Sequence, residues 1–327
     1  MKSHQAEFEL GDLWRVIARP LLFVVAFAGI VHCGARMRWL PSPRPALDAD
    51  RAVIVHQVDS SRVRSEADVV LFGDSSCLMD LDARRMGLAL GRRTLNLGLN
   101  SYFDLAAPTR MLQEFTAANP GRPRVVVLLM HPEALRRSGS EPYPLAVFTH
   151  YLTGTDPKEV HAPAVQLRDW SGTELIRTRL IARVLPWPLD GNFGRFYGFT
   201  TGLERFMSAH DGSALDPGAE PARGDADYRL SPMLENLSAD FRAAVLSGTT
   251  LLVGITPVPA KFAGPKYPAT RDRMLQQWGG WLGADRLLED LPAALPDELF
   301  TGVTHLKPSA VPDFSDRLVK ELRQHLP

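Results

Sequence analysis

The stretch Val69-Val70-Leu71-Phe72-Gly73-Asp74-Ser75-Ser76 sets how the rest of the chain is read. Its four apolar residues run without polar alternation, the pattern of a strand covered on both faces. Gly73 and Asp74 end the run abruptly, and Asp and Ser are residues that cap helices. The stretch therefore predicts a buried strand that turns into a helix, with a serine at the turn. The pattern recurs along the chain. Thr94-Leu95-Asn96-Leu97-Gly98, Arg124 to Met130 and Thr249 to Thr256 read as further strands, the last stopped by Pro257 and Pro259. Helical patterns over 104–118, 232–246 and 311–325 separate them. Such alternation predicts an α/β fold, a mainly parallel sheet with helices on both sides in a three-layer α/β/α sandwich. Ligands of such sheets bind beyond the carboxyl ends of the strands. Gly73-Asp74-Ser75, Gly98 and Met130-His131-Pro132-Glu133 all fall at those ends.

Size and composition set bounds on the rest. The chain has 327 residues, of which 45% are hydrophobic, enough for a full core. Lys plus Arg and Asp plus Glu both number 37, so no strongly basic face is implied and nucleic acid is a poor partner. The two cysteines, Cys33 and Cys77, make no zinc site and are not expected to pair. His150 and His161 have no ligand-like partners at helical or strand spacing, so no metal and no cofactor is assigned.

Residues 1–39 read as an N-terminal segment with a membrane anchor. From Pro20 to Ala35 there is no charge, about 16 residues, somewhat short of a comfortable span. Starting at Leu13 restores the length, with Arg15 and Arg19 snorkelling at one end and Arg36 and Arg38 at the other. Trp14 and Trp39 bracket it as interfacial aromatics do. A signal anchor is favoured over a cleaved signal peptide or a buried soluble helix. Lys2, Arg15 and Arg19 on one side nearly balance Arg36, Arg38 and Arg44 on the other, so charge does not orient the segment. Residues 40–66, Pro-rich at their start, read as a linker or neck. Residues 67–327 form the α/β domain, with an insertion at about 140–231 that holds Trp170, Trp187 and the Phe193–Phe199 aromatic cluster.

Serine is a weak nucleophile until a base takes its proton and a third group orients that base. A strand ending in Gly73-Asp74-Ser75 can present the Ser75 hydroxyl at a strand-to-helix turn, where nearby amides can face an oxyanion. Against this stands the reading of Asp74 or a serine as a plain helix cap. His305-Leu306 lies near the far end of the chain, before the last helix, and is a candidate base. Other groups have simpler readings: Glu133 as a helix-start acid, His131 as a structural histidine near the site, and Cys77 as a packed core residue.

Gly73-Asp74-Ser75-Ser76, Asn96-Leu97-Gly98 and His305-Leu306 resemble, in order and spacing, the sequence blocks of the SGNH (GDSL-type) hydrolase superfamily. The resemblance spans residues 69 to about 325. It implies an SGNH/flavodoxin-like sandwich with Ser75 as nucleophile, His305 as general base, and the Ser75 and Gly98 amides as oxyanion donors. Asp74, Asn96 and His131 become accessory candidates. Two departures weaken the match. Pro132 stands where the family usually has an oxyanion-binding Asn, and Gly302 stands where it has the triad acid. Asp297 and Glu298 are the nearby carboxylates. Loss of one oxyanion donor costs about 10²–10³ in rate, and loss of the orienting acid about 10⁴.

Pro132-Glu133, the run Ile255-Thr256-Pro257-Val258-Pro259 and the N-terminal anchor resemble membrane-anchored SGNH-like proteins of bacterial surface-polysaccharide O-acetylation. That resemblance implies a single-pass protein of the inner membrane with a periplasmic domain. It also implies an acylated surface glycan as substrate and a membrane-bound acyltransferase as partner. Two functions are then expected to compete: a serine esterase or O-acyltransferase, and a catalytically weakened glycan-binding or scaffold subunit of an acylation complex.

Overall fold

The structure is a computed structural model that describes residues 10–36, 49–100, 103–137, 139–154, 202–214 and 228–326. The chain divides into two compact units, Met1–Ala46 with Ala164–Thr201, and Leu47–Pro163 with Gly202–Pro327.

The described part of the first unit is one helix, α1 (Leu10–Arg36), with Pro20 inside it. Leu21, Leu22, Phe23, Val24 and Val25 are all exposed. Five consecutive residues turn through more than a full circle at 100° each, so over this stretch the helix is apolar and exposed on every side. Among the described residues, no helix is long and apolar enough to cross a membrane. The expected transmembrane span is therefore not met. With Asp12, Arg15 and Arg19 in its first turns, the uncharged part of α1 rises only about 24 Å against a hydrocarbon core of about 30 Å.

In the second unit the elements run α2 (Ala49–Arg62), β1 (Val69–Gly73), α3 (Ser75–Met79), α4 (Ala83–Leu90), β2 (Thr94–Asn96), α5 (Ala106–Ala118), β3 (Val125–Met130), α6 (Pro132–Arg136) and α7 (Pro142–Leu152). They continue with α8 (Gly202–Ala209), α9 (Leu234–Ala244), β4 (Thr250–Ile255), β5 (Val258–Pro259), α10 (Ala260–Ala263), α11 (Tyr267–Leu282), β6 (Arg286–Leu287), β7 (Ala294–Leu295) and α12 (Val311–Leu322). The main sheet has the order β2-β1-β3-β4-β6. Each of its pairings is parallel, with Val69 opposite Thr94 and Val125, and Val125 opposite Thr250.

Successive side chains of a strand point to opposite faces, and here both faces are covered. Val70, Phe72, Val126, Leu128, Leu251 and Val253 join a core completed by residues of α2, α5, α9 and α11. Val69, Leu71, Val125, Val127 and Leu252 join a second core with Met86 of α4 and Phe314, Leu318 and Leu322 of α12. Burial on both sides explains the unbroken apolar runs. Each such side chain contributes about 1.5–3 kcal/mol by leaving water.

Residues 49–62 depart from the expected linker. They form α2, which packs on α5 and α7 and buries Ile54, Gln57 and Val58 completely. Val53, Ile54 and Val58 sit at helical spacing, and Gln57 Nε2 donates to the carbonyls of Gly98 at 2.7 Å and Gly212 at 3.2 Å. The helix thus secures the loop beyond β2. Within the expected insertion, α7 and α8 are described. Trp170, Trp187, the Phe193–Phe199 cluster and His161 lie outside the described residues.

Candidate functional site

The carboxyl ends of β1, β3 and β4 are knitted together by one carboxylate. Gly73 ends β1 because nothing larger fits: a Cβ there would sit 1.7 Å from the Leu129 carbonyl oxygen of β3. Asp74 follows as the N-cap of α3. Its Oδ1 accepts from the Ser76 amide at 3.0 Å and the Ser76 hydroxyl at 2.6 Å. Its Oδ2 accepts from the His131 amide at 2.9 Å, at the end of β3. Thr256, just past β4, donates its hydroxyl to Ser76 Oγ at 2.9 Å. Burial pushes the Asp74 pKa up, while the hydrogen bonds from Ser76 and His131 and the nearby His305 pull it down by less.

The two serines of the motif consequently differ. Ser76 is fully buried and committed to Asp74 and Thr256. Ser75 is the first residue of α3 and is partly exposed. It is the more exposed of the two.

His305 arrives on a tight hairpin. Phe300 and Leu306 form an antiparallel bridge. The His305 carbonyl accepts from the Thr301 amide at 2.9 Å and the Thr301 hydroxyl at 3.2 Å. The hairpin docks on Asp80, the residue that caps the end of α3. Asp80 Oδ1 accepts from the Leu306 amide at 2.9 Å and lies 3.9 Å from His305 Nδ1. Asp80 is completely buried. At 3.9 Å the pair falls outside hydrogen-bond length but within ion-pair range when the imidazole is protonated. A short helix thus carries Ser75 at its start and, at its end, the carboxylate beside His305. No hydrogen bond joins the Ser75 hydroxyl to the His305 ring among the described residues.

His131 occupies the remaining corner. It is 2% exposed, and its ring is the N-cap of α6, with Nδ1 accepting from the Glu133 amide at 3.1 Å. That bond leaves the ring hydrogen on Nε2. Burial first, and then His305, lower the His131 pKa from 6.5 to about 3, so the ring is neutral at ordinary pH.

The other sequence candidates fall differently. The Gly98 amide donates to Asn96 Oδ1 at 2.9 Å and so has a partner inside its own loop. The absence of a side chain serves packing, since a Cβ on Gly98 would sit 2.7 Å from the Leu78 nitrogen of α3. Asn96 is buried and structural: its Nδ2 donates to the Cys77 carbonyl at 2.8 Å and to Ser213 Oγ at 3.2 Å. Cys77 is buried in the second core, where loss of solvation raises its thiol pKa well above the ordinary value. Asp297 accepts from the Lys261 amide at 2.9 Å, and Glu298 is exposed. Asp297 also lines a cleft of about 440 Å³ with Lys261, Phe262, Phe300, Thr301 and Gly302, on the outer arm of the His305 hairpin.

Asp80 is the residue that sequence reasoning missed. Three residues before His305, where the resemblance places the acid, stands Gly302. The signal lay elsewhere, in an aspartate between the apolar Met79 and Leu81, five residues after Ser75. A charged side chain flanked by core residues needs a partner inside. Among the described residues, no group of three or more His, Cys, Asp or Glu side chains is placed to hold a metal ion. The chain matches no protein-family model. A search of curated proteins finds no match either.

Proposed function

We propose that this chain is a serine esterase or O-acyltransferase that moves acyl groups of a cell-surface glycan and is held at a membrane by its N-terminal helix. The observation that carries the reading is the relation between α3 and the His305 hairpin. Ser75 begins the helix, Asp80 ends it, and Asp80 stands 3.9 Å from His305 Nδ1. The SGNH-like order of the three motifs supports the same assignment. An acid provided by Asp80 offsets the departure at Gly302.

In the proposed reaction Ser75 Oγ attacks the ester carbonyl carbon while His305 takes the serine proton. The tetrahedral oxyanion faces the Ser75 amide. When the ester C–O bond breaks, His305 returns its proton to the departing alcohol, leaving an acyl-Ser75 enzyme. Water or a glycan hydroxyl then attacks the acyl carbon, His305 takes that proton, and the serine is restored. Asp80 holds the positive charge that His305 carries in each half.

The membrane assignment rests on α1, whose apolar residues from Leu21 to Val25 are exposed on every side. A helix apolar all round is stable only in contact with protein or lipid. A periplasmic domain on the bacterial inner membrane and a membrane-bound acyltransferase partner complete the proposal. The second reading, a glycan-binding or scaffold subunit, is favoured by one observation: the Gly98 amide is engaged by Asn96, which leaves fewer oxyanion donors. Acetyl-ester turnover by the full chain and its Ser75→Ala variant separates the two. The enzyme reading expects turnover that Ser75→Ala abolishes; equal rates, or none in either, favour the scaffold.

A further inference from the structure

Helix α4 (Ala83–Leu90) carries an apolar residue on its outer side. Ala83 and Met86 are buried in the second core, whereas Leu88 is 79% exposed, the most of any large apolar side chain among the described residues. A single exposed leucine is ordinary on a protein surface. Leu88 differs in what surrounds it. Two clefts, of about 580 and about 430 Å³, flank it, and Arg84 and Leu88 line both. In the first cleft the charges pair off. Arg85 donates to Asp316 through Nε at 2.8 Å and Nη2 at 2.7 Å, and Asp82 Oδ2 lies 3.3 Å from His210 Nδ1. The second cleft keeps a surplus, with Arg84, Arg92 and Arg93 against the single carboxylate of Asp211. Arg84 is held in place by the Ala209 carbonyl, which accepts from its Nη1 at 3.0 Å. Arg323 adds a cation at the end of α4, where its Nη2 donates to the Ala89 carbonyl at 2.6 Å.

We propose that this face of α4 is a lipid-contact surface, on which Leu88 enters the headgroup layer and Arg84, Arg92 and Arg93 meet the phosphates of anionic phospholipids. The inference rests on the membrane reading of α1 above. An exposed leucine set among guanidiniums has the chemistry of a helix that lies on a bilayer: the apolar tip goes in, and the arginine stems lie along the apolar layer with their charges outward. A few cations suffice here, because a chain already held at the bilayer meets it at high local concentration. The attraction acts only within a Debye length, about 10 Å at 0.1 M salt and about 3 Å at 1 M, so salt should release the face without extracting α1.

The two cysteines of the chain make the test clean, since Cys33 of α1 is exposed and Cys77 is buried. The full chain is reconstituted in nanodiscs of phosphatidylcholine, with or without phosphatidylglycerol, that also hold a nitroxide-labelled lipid as quencher. A polarity-sensitive fluorophore on Cys33 reports whether α1 lies in lipid. The same fluorophore on Leu88→Cys, in a Cys33→Ser background, reports on the face of α4. The label at 88 is expected to shift to the blue and to be quenched in discs with phosphatidylglycerol, but not in phosphatidylcholine alone. Salt at 1 M, or the combined Arg84→Glu, Arg92→Glu and Arg93→Glu variant, is expected to abolish both changes and leave the Cys33 signal as it was.

A quenched Cys33 label with an unshifted, unquenched label at 88 in both kinds of disc overturns the proposal and leaves the anchor standing. Quenching at 88 that is the same in both discs, or that survives the arginine substitutions, overturns it too, because the charges then play no part. If the Cys33 label is not quenched, the anchor reading fails, and the label at 88 on added phosphatidylglycerol vesicles decides alone: quenched, it supports the surface; unquenched, it refutes it. Should the glutamate variant not fold, Arg92→Gln with Arg93→Gln carries the same comparison.

Discussion

Asp80 and His305 are held together at two points of one hairpin: Asp80 Oδ1 takes the Leu306 amide at 2.9 Å and stands 3.9 Å from His305 Nδ1. The same carboxylate oxygen therefore fixes the backbone that carries His305 and faces its ring. Asp80→Asn keeps an acceptor for Leu306 and removes the charge. Turnover is expected to fall about 10²- to 10⁴-fold with KM little changed, because the charge acts when His305 is protonated. Asp80→Ala also strands the Leu306 amide, at a cost of about 1–3 kcal/mol in denaturant unfolding. If Asp80→Asn turns over like wild type, the carboxylate is only a hairpin anchor.

The two adjacent serines are expected to fail in opposite ways. Ser76→Ala leaves the Thr256 hydroxyl without its acceptor and takes one donor from Asp74. It should lose about 1–3 kcal/mol of stability while turnover per folded molecule changes little. Ser75→Ala touches a partly exposed side chain and should change stability by less than about 0.5 kcal/mol while removing activity. The reverse pattern would make Ser76 the nucleophile.

Much of this architecture was legible in advance. Unbroken apolar runs over Val69–Phe72 and Val125–Met130 mark strands with two covered faces, and the structure buries alternate residues of both in two different cores. Ser75 could be singled out because it stands at the turn after such a run, in a motif that resembles the first SGNH block. What could not be read was side-chain direction. Nothing in the sequence says that Asn96 Oδ1 takes the Gly98 amide, or that Asp80 meets a histidine 225 positions later. α2 was hidden by the prolines before it, although Ile54 and Val58 carry its core-facing stripe.

Two buried groups oppose each other in acid. His131 titrates at 6.5 when unfolded and about 3 when folded, so between those values the unfolded chain holds the extra proton and stability falls as pH falls. Glu321 is buried at 3% exposure with Oε1 accepting from the Asp290 amide, and burial raises its pKa from 4.5 to about 7. Between 4.5 and 7 the folded chain holds that proton, so this contribution rises as pH falls. Removing it in Glu321→Gln should make stability fall more steeply than wild type from about pH 7 to about pH 5, by roughly 2–3 kcal/mol. Parallel urea-unfolding curves for the two proteins would refute the assignment.

Gly73 tests the turn itself. A Cβ at this position would lie 1.7 Å from the Leu129 carbonyl oxygen and 2.7 Å from Cys77 Cβ, both in packed structure. Gly73→Ala is expected to lose more than about 4 kcal/mol, the range of severe core disruption, and to yield little folded protein. Wild-type expression and a wild-type unfolding midpoint would show that β1 and β3 do not approach as described.

The most direct measurement is mass spectrometry of the chain quenched during turnover of an activated acetyl ester. The proposed mechanism predicts an acetyl group on the peptide containing Ser75, assigned to that residue by fragmentation, absent from Ser75→Ala and accumulating more slowly in Asp80→Asn. An adduct that persists in Ser75→Ala, or no adduct at all during turnover that His305→Gln leaves intact, contradicts it.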